Sequence, residues 1–103
     1  MVLHVVLLKI RPDAEPQAMR HLDEALASLQ DVIPGLLTYS WGPNVSPENL
    51  GRGYNHGFVM TFENTAARDA YLPHPEHQKV GPLVGAVAEE VLVFDLEVSS
   101  SEE

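Results

Sequence analysis

Five histidines and three tyrosines are the side chains of this sequence best suited to move a proton near neutral pH. His4 sits inside an apolar run, His56 follows Gly53-Tyr54-Asn55, and Tyr71 leads into Leu72-Pro73-His74-Pro75-Glu76-His77. The last segment also offers the donor types of a metal site, imidazole and carboxylate. Its spacing does not specify one, because Pro75 works against a shared helical face, and we assign neither a metal nor a cofactor. His74, between two prolines, reads as a cap or turn residue. His21, beside Arg20 and close to Asp23 and Glu24, reads as exposed surface.

Other chemistries are excluded by composition. With no cysteine there is no disulfide, thiolate nucleophile or thiolate-bound metal. Six basic against fifteen acidic residues give a formal charge of −9, which opposes binding to nucleic acid or anionic membranes. Gly51-Arg52-Gly53 does not join a strand to a helix, so it is not a phosphate loop. No apolar run approaches the roughly 20 residues of a membrane span, and the first residues lack a cationic leader, so a cytoplasmic protein is expected.

The elements that must position these residues follow from periodicity. Val2 to Ile10 is a strand with two largely apolar faces, the even positions His4, Val6 and Leu8 on one and Leu3, Val5 and Leu7 on the other. Asp13 is a candidate cap for a helix whose Met19, Leu22, Leu26, Leu29 and Ile33 recur at helical spacing, ended by Pro34-Gly35. Leu37, Tyr39 and Trp41 alternate along a second strand, with Tyr39 and Trp41 core or interface residues. Tyr54, His56, Phe58, Met60 and Phe62 alternate along a third.

Asn64 or Thr65 caps a short helix through Tyr71. A further helix spans about Pro75 to Glu89, kinked or interrupted at Gly81-Pro82. Val91 to Val98 is the fourth strand, with Phe94 a core or interface residue. Residues 1–98 form one domain, and 99–103 are a disordered tail.

The order β-α-β-β-α-α-β is that of an α+β, ferredoxin-like fold with a four-stranded antiparallel sheet. Strands one and three are then central neighbours, which predicts that His4 and His56 come close and share a pocket. A chain of 103 residues with two apolar sheet faces also favours self-association.

Several segments together resemble the stress-responsive dimeric α/β-barrel (Dabb) family over about residues 2–98. They are His4-Val5-Val6-Leu7, Trp41-Gly42, Gly53-Tyr54-Asn55-His56, Thr61-Phe62-Glu63, Tyr71-Leu72-Pro73-His74-Pro75-Glu76-His77 and Val91-Leu92-Val93-Phe94-Asp95. The resemblance implies a homodimer in which two sheets pack face to face as a barrel. One branch of the family comprises plant polyketide cyclases that close a ring by aldol condensation without a cofactor. By that resemblance His77 corresponds to the general base and Tyr71 to its catalytic partner. His4 and His56, with Val6 and Phe58 beside them, line the pocket for a small apolar, carbonyl-bearing or phenolic ligand. The alternative within the same family is a non-enzymatic, stress-responsive or ligand-binding homodimer.

Overall fold

The computed structural model describes residues 1–99. Strand β1, Val2–Ile10, buries Val2, His4, Val6 and Leu8 on one face and half-buries Leu3, Val5 and Leu7 on the other. Helix α1, Pro16–Ser28, begins after Glu15 rather than at the expected Asp13. Pro16 needs no N–H in the first turn and presets the helical φ. Leu22 and Leu26 form its buried stripe, and a short 3-10 turn, Leu29–Asp31, carries it on to buried Leu29 and Ile33.

Gly35 then reverses the chain at φ 82°, where a side chain is strained. A Cβ there would stand 2.6 Å from the Cβ of Ala67, so the turn also needs glycine for close approach.

Strands β2, Leu36–Pro43, and β3, His56–Phe62, follow. In β3 the alternation holds: Phe58, Met60 and Phe62 are buried. In β2 it is offset, because the pairing with β3 slips between Leu36 and Thr38. Leu36 is buried and Leu37 is displaced to solvent, while Tyr39 and Trp41 still pack against the core. Helix α2, Thr65–Tyr71, is capped by Asn64, whose side-chain oxygen accepts from the Ala67 N–H at 2.8 Å.

The expected helix from Pro75 to Glu89 is two short helices, α3 (Pro75–Gln78) and α4 (Gly81–Gly85), and the last strand, β4 (Ala88–Glu97), starts three residues before Val91. Pro82 lies in the first turn of α4, where its missing N–H is harmless. Beyond α4 the backbone is drawn to the sheet edge: Arg11 N–H donates to the Val87 carbonyl at 2.8 Å, and Ala88 pairs with Ile10.

The sheet is antiparallel in the order β2-β3-β1-β4. Its helical side closes over Leu8, Met60, Phe62, Leu22, Leu26 and Val87, all essentially without exposure. Leu3, Val5, Leu7 and Val59 lie on the opposite side with Leu92, Phe94 and Leu96, and no helix among the described residues covers them. Ser99 apart, the expected tail lies outside the described residues.

Candidate active site

Three elements bring titratable groups together over the helical side of β1. His4 projects from β1 into the core and is 5% exposed, the one polar side chain buried there among the described residues. Tyr71, at the end of α2, is 1% exposed and stands edge-on to His4, with ring centroids 6.0 Å apart. His77, on α3, lies over the other part of the tyrosine, its ring centroid 4.3 Å away. With Val6, Phe58 and Leu26, these three line a cavity of about 210 Å³.

The turn between α2 and α3 explains how one short segment holds two histidines in different roles. His74 is the N-cap of α3, its Nδ1 accepting from the Glu76 N–H at 3.0 Å. His77 donates Nδ1–H to the Leu72 carbonyl at 2.8 Å. A carbonyl only accepts, so this bond fixes the His77 proton on Nδ1 and leaves Nε2 for a ligand.

His4 is held in the same manner by a different group. Its Nδ1 lies 2.7 Å from Oδ1 of Asp95, its neighbour on β4. The other Asp95 oxygen accepts from Arg68 of α2, which also binds Asp69 at 3.0 Å. Partial burial pushes the Asp95 carboxyl up, but the hydrogen bonds from His4 and Arg68 outweigh it and hold the group below the usual carboxylate range. An ionised carboxylate cannot donate, so His4 also keeps its proton on Nδ1. Burial alone raises the Tyr71 phenol well above its ordinary value, and the hydroxyl stays a neutral donor.

Asp95 and Arg68 were not among the residues read from the sequence as site residues. The available signal is the parity of β4: Val91, Val93 and Asp95 share one face, so an inward carboxylate stands at the end of an apolar stripe.

His56 stands apart. His4 pairs with Met60 across β1 and β3, whereas His56 pairs with Leu8, four residues further along β1. That separates the two histidines by about 13 Å at about 3.3 Å per residue. The expected closeness of His4 and His56 therefore does not occur, although both face the helical side.

His56 packs against Trp41 at 4.4 Å between centroids, and its Nε2 is buried without a hydrogen-bond partner among the described residues. Desolvation lowers its pKa, against a smaller opposing pull from Asp23. It borders a larger, open hollow of about 610 Å³ with Trp41, Tyr54 and Val59. The groups able to act together meet in the smaller cavity.

Residues 2–98 match the family model of the stress responsive A/B barrel domain, Dabb. The chain belongs to that family. Over 99 residues it is 33% identical to the stress-response A/B barrel domain-containing protein HS1 of Arabidopsis thaliana, covering 96% of this chain and 91% of HS1. The olivetolic acid cyclase of Cannabis sativa is 28% identical over 94 residues, which are 91% of this chain and 93% of the cyclase. A dimeric ferredoxin-like protein of unknown function from Jannaschia sp. CCS1 superposes with a TM-score of 0.75 at 36% identity, covering 94% and 98% of the two chains. Like the Jannaschia protein, this Dabb chain has a ferredoxin-like sheet as its scaffold. Among the described residues no helix is long and apolar enough to cross a membrane.

Proposed function

We propose that this Dabb chain is a cytoplasmic homodimer and a cofactor-free enzyme of the polyketide-cyclase or aldol type, acting on a small carbonyl-bearing or phenolic substrate in the His4–Tyr71–His77 cavity. The observation that carries the reading is the fixed tautomer of His77. With Nδ1–H spent on the Leu72 carbonyl, Nε2 is a base beside Tyr71 in an apolar cavity. In this reading Nε2 takes a proton from the carbon next to a carbonyl, and the Tyr71 hydroxyl donates to the enolate oxygen that forms. The enolate then attacks a second carbonyl of the same molecule, forming the ring bond, and the His77 proton goes to the alkoxide. His4, Val6 and Phe58 hold the substrate. The cyclase relative supports this chemistry over most of both chains.

The homodimer rests on the uncovered sheet face. Leu92, Phe94 and Leu96 keep 44%, 59% and 47% of their surface there, and so contiguous an apolar patch calls for a partner. The relative from Jannaschia, described as dimeric, supports a second copy as that partner.

A second reading, a non-enzymatic stress-responsive or small-ligand-binding homodimer, is favoured by the higher identity to HS1 than to the cyclase. Thermal-shift screening of carbonyl and phenolic compounds on wild type and His77→Ala tests whether the cavity is a site at all. Stabilisation of wild type that the variant loses supports it. No stabilisation, or an identical response in the variant, refutes it.

A further inference from the structure

The cavity meets its ligand with two imidazoles, and both have already spent their Nδ1 proton inside the protein. His77 gives it to the Leu72 carbonyl and His4 gives it to Asp95. Each ring therefore offers its remaining nitrogen as an acceptor. His56 Nε2 is the one buried side-chain nitrogen or oxygen lacking a partner among the described residues, so the unpaired Nε2 of buried His4 keeps access to the cavity that His4 lines.

Among the described residues no lysine or arginine lines this cavity; its remaining wall is aliphatic and aromatic, including Val80, Val84 and Val93. The nearby guanidinium of Arg68 is bound to Asp95 and Asp69.

Resting on the reading of this cavity as the substrate site, we propose that it selects neutral hydrogen-bond donors, phenols and the enols of 1,3-dicarbonyl compounds, and rejects carboxylates of the same size. Asp95 and Arg68 are the positioning residues that set this preference. A phenol O–H finds a bare nitrogen in an apolar cavity. A carboxylate finds two lone pairs, no cation among the described residues and a single hydroxyl donor, Tyr71, and one neutral hydrogen bond does not replace the hydration that a full charge loses in such a place.

The selectivity is reversible by one substitution. In Asp95→Asn, Arg68 can only donate and so takes the amide oxygen, which turns the amide NH₂ towards His4. His4 Nδ1 must then accept, and the ring proton moves to Nε2, where it faces the cavity as a donor.

The test uses the full-length protein at about pH 8, above the ordinary range of imidazole titration. Two-bond ¹H–¹⁵N correlation spectra assign the protonated nitrogen of each ring. Titrations with 4-methylphenol and 4-methylbenzoate measure the preference on one ring framework. The expected result for wild type is Nδ1–H on both His4 and His77 and at least about tenfold tighter binding of the phenol. In Asp95→Asn the His4 proton is expected on Nε2, with the preference reduced to parity or reversed.

Equal or tighter binding of the benzoate by wild type, or a bare Nδ1 on His4, overturns the selectivity while the cavity stands as a site. If neither compound binds, the selectivity and the cavity reading fall together. Should Asp95→Asn not fold, the wild-type spectra and binding ratio decide the matter alone.

Discussion

Replacing Phe94 by glutamate should convert a dimer into a folded monomer. Phe94 keeps 59% of its surface in the single chain, so little of the protomer's own core depends on it. A phenylalanine side chain presents roughly 200 Å², which leaves roughly 120 Å² for a partner, or about 3 kcal/mol at about 25 cal/mol per Å². Both copies lose this in a symmetric dimer, about 6 kcal/mol together, which is about four decades in dissociation constant. The new carboxylate adds the cost of burying a charge against apolar Leu92, Leu96 and Val5. Sedimentation equilibrium reads the mass directly. Wild type should sediment at about twice 11.3 kDa and Phe94→Glu at 11.3 kDa at the same micromolar concentration, with unchanged far-ultraviolet circular dichroism. A variant that remains dimeric, or a wild type that is monomeric, would refute the covered-face argument.

Two further outcomes follow from the buried groups. Tyr71→Phe keeps the packing against His4, Phe62 and His77 but removes the hydroxyl, so melting should shift by only a few degrees while turnover falls roughly 10²–10³-fold; calorimetry and a substrate assay separate the two. Because burial lowers the folded-state pKa of His56, the unfolded chain binds more protons than the folded chain between that value and the ordinary imidazole pKa of about 6.5. The contribution of His56 is thus complete above about pH 6.5 and is lost as pH falls towards the folded value. Urea titrations of wild type and His56→Gln should show a steeper loss of stability on acidification in wild type; parallel curves would contradict it.

Much of the fold was legible because its signals are local. The alternation from His56 to Phe62 marks a strand without reference to any other segment, and the capping role of Asn64 follows from its position before Thr65. Leu37 was misplaced because the slip between Leu36 and Thr38 is a property of the pairing with β3, which β2 does not encode alone. Ala88 and Glu89 fall inside the expected helix from Pro75 to Glu89, yet they begin the edge strand β4, where Lys9 meets Glu90 at 2.7 Å.

The candidate site divides along the same line. The segment from Tyr71 to His77 was legible, since its prolines and histidines lie within one turn. Strand adjacency put His4 near β3, but only the register shows that Met60, and not His56, faces it. The Arg68–Asp95–His4 array joins residues up to 91 positions apart, and the parity that turns Asp95 inward on β4 does not name its partners.

The base assigned to His77 can be watched without knowing the natural substrate. Proton-to-deuterium exchange at the carbon between the carbonyls of ethyl acetoacetate, followed by ¹H NMR in D₂O near neutral pD, measures proton abstraction alone. Wild type should exceed the buffer rate, with the general-base contribution of about 10²–10⁴-fold lost in His77→Gln. A wild-type rate equal to buffer, or a His77→Gln rate equal to wild type, would contradict the account.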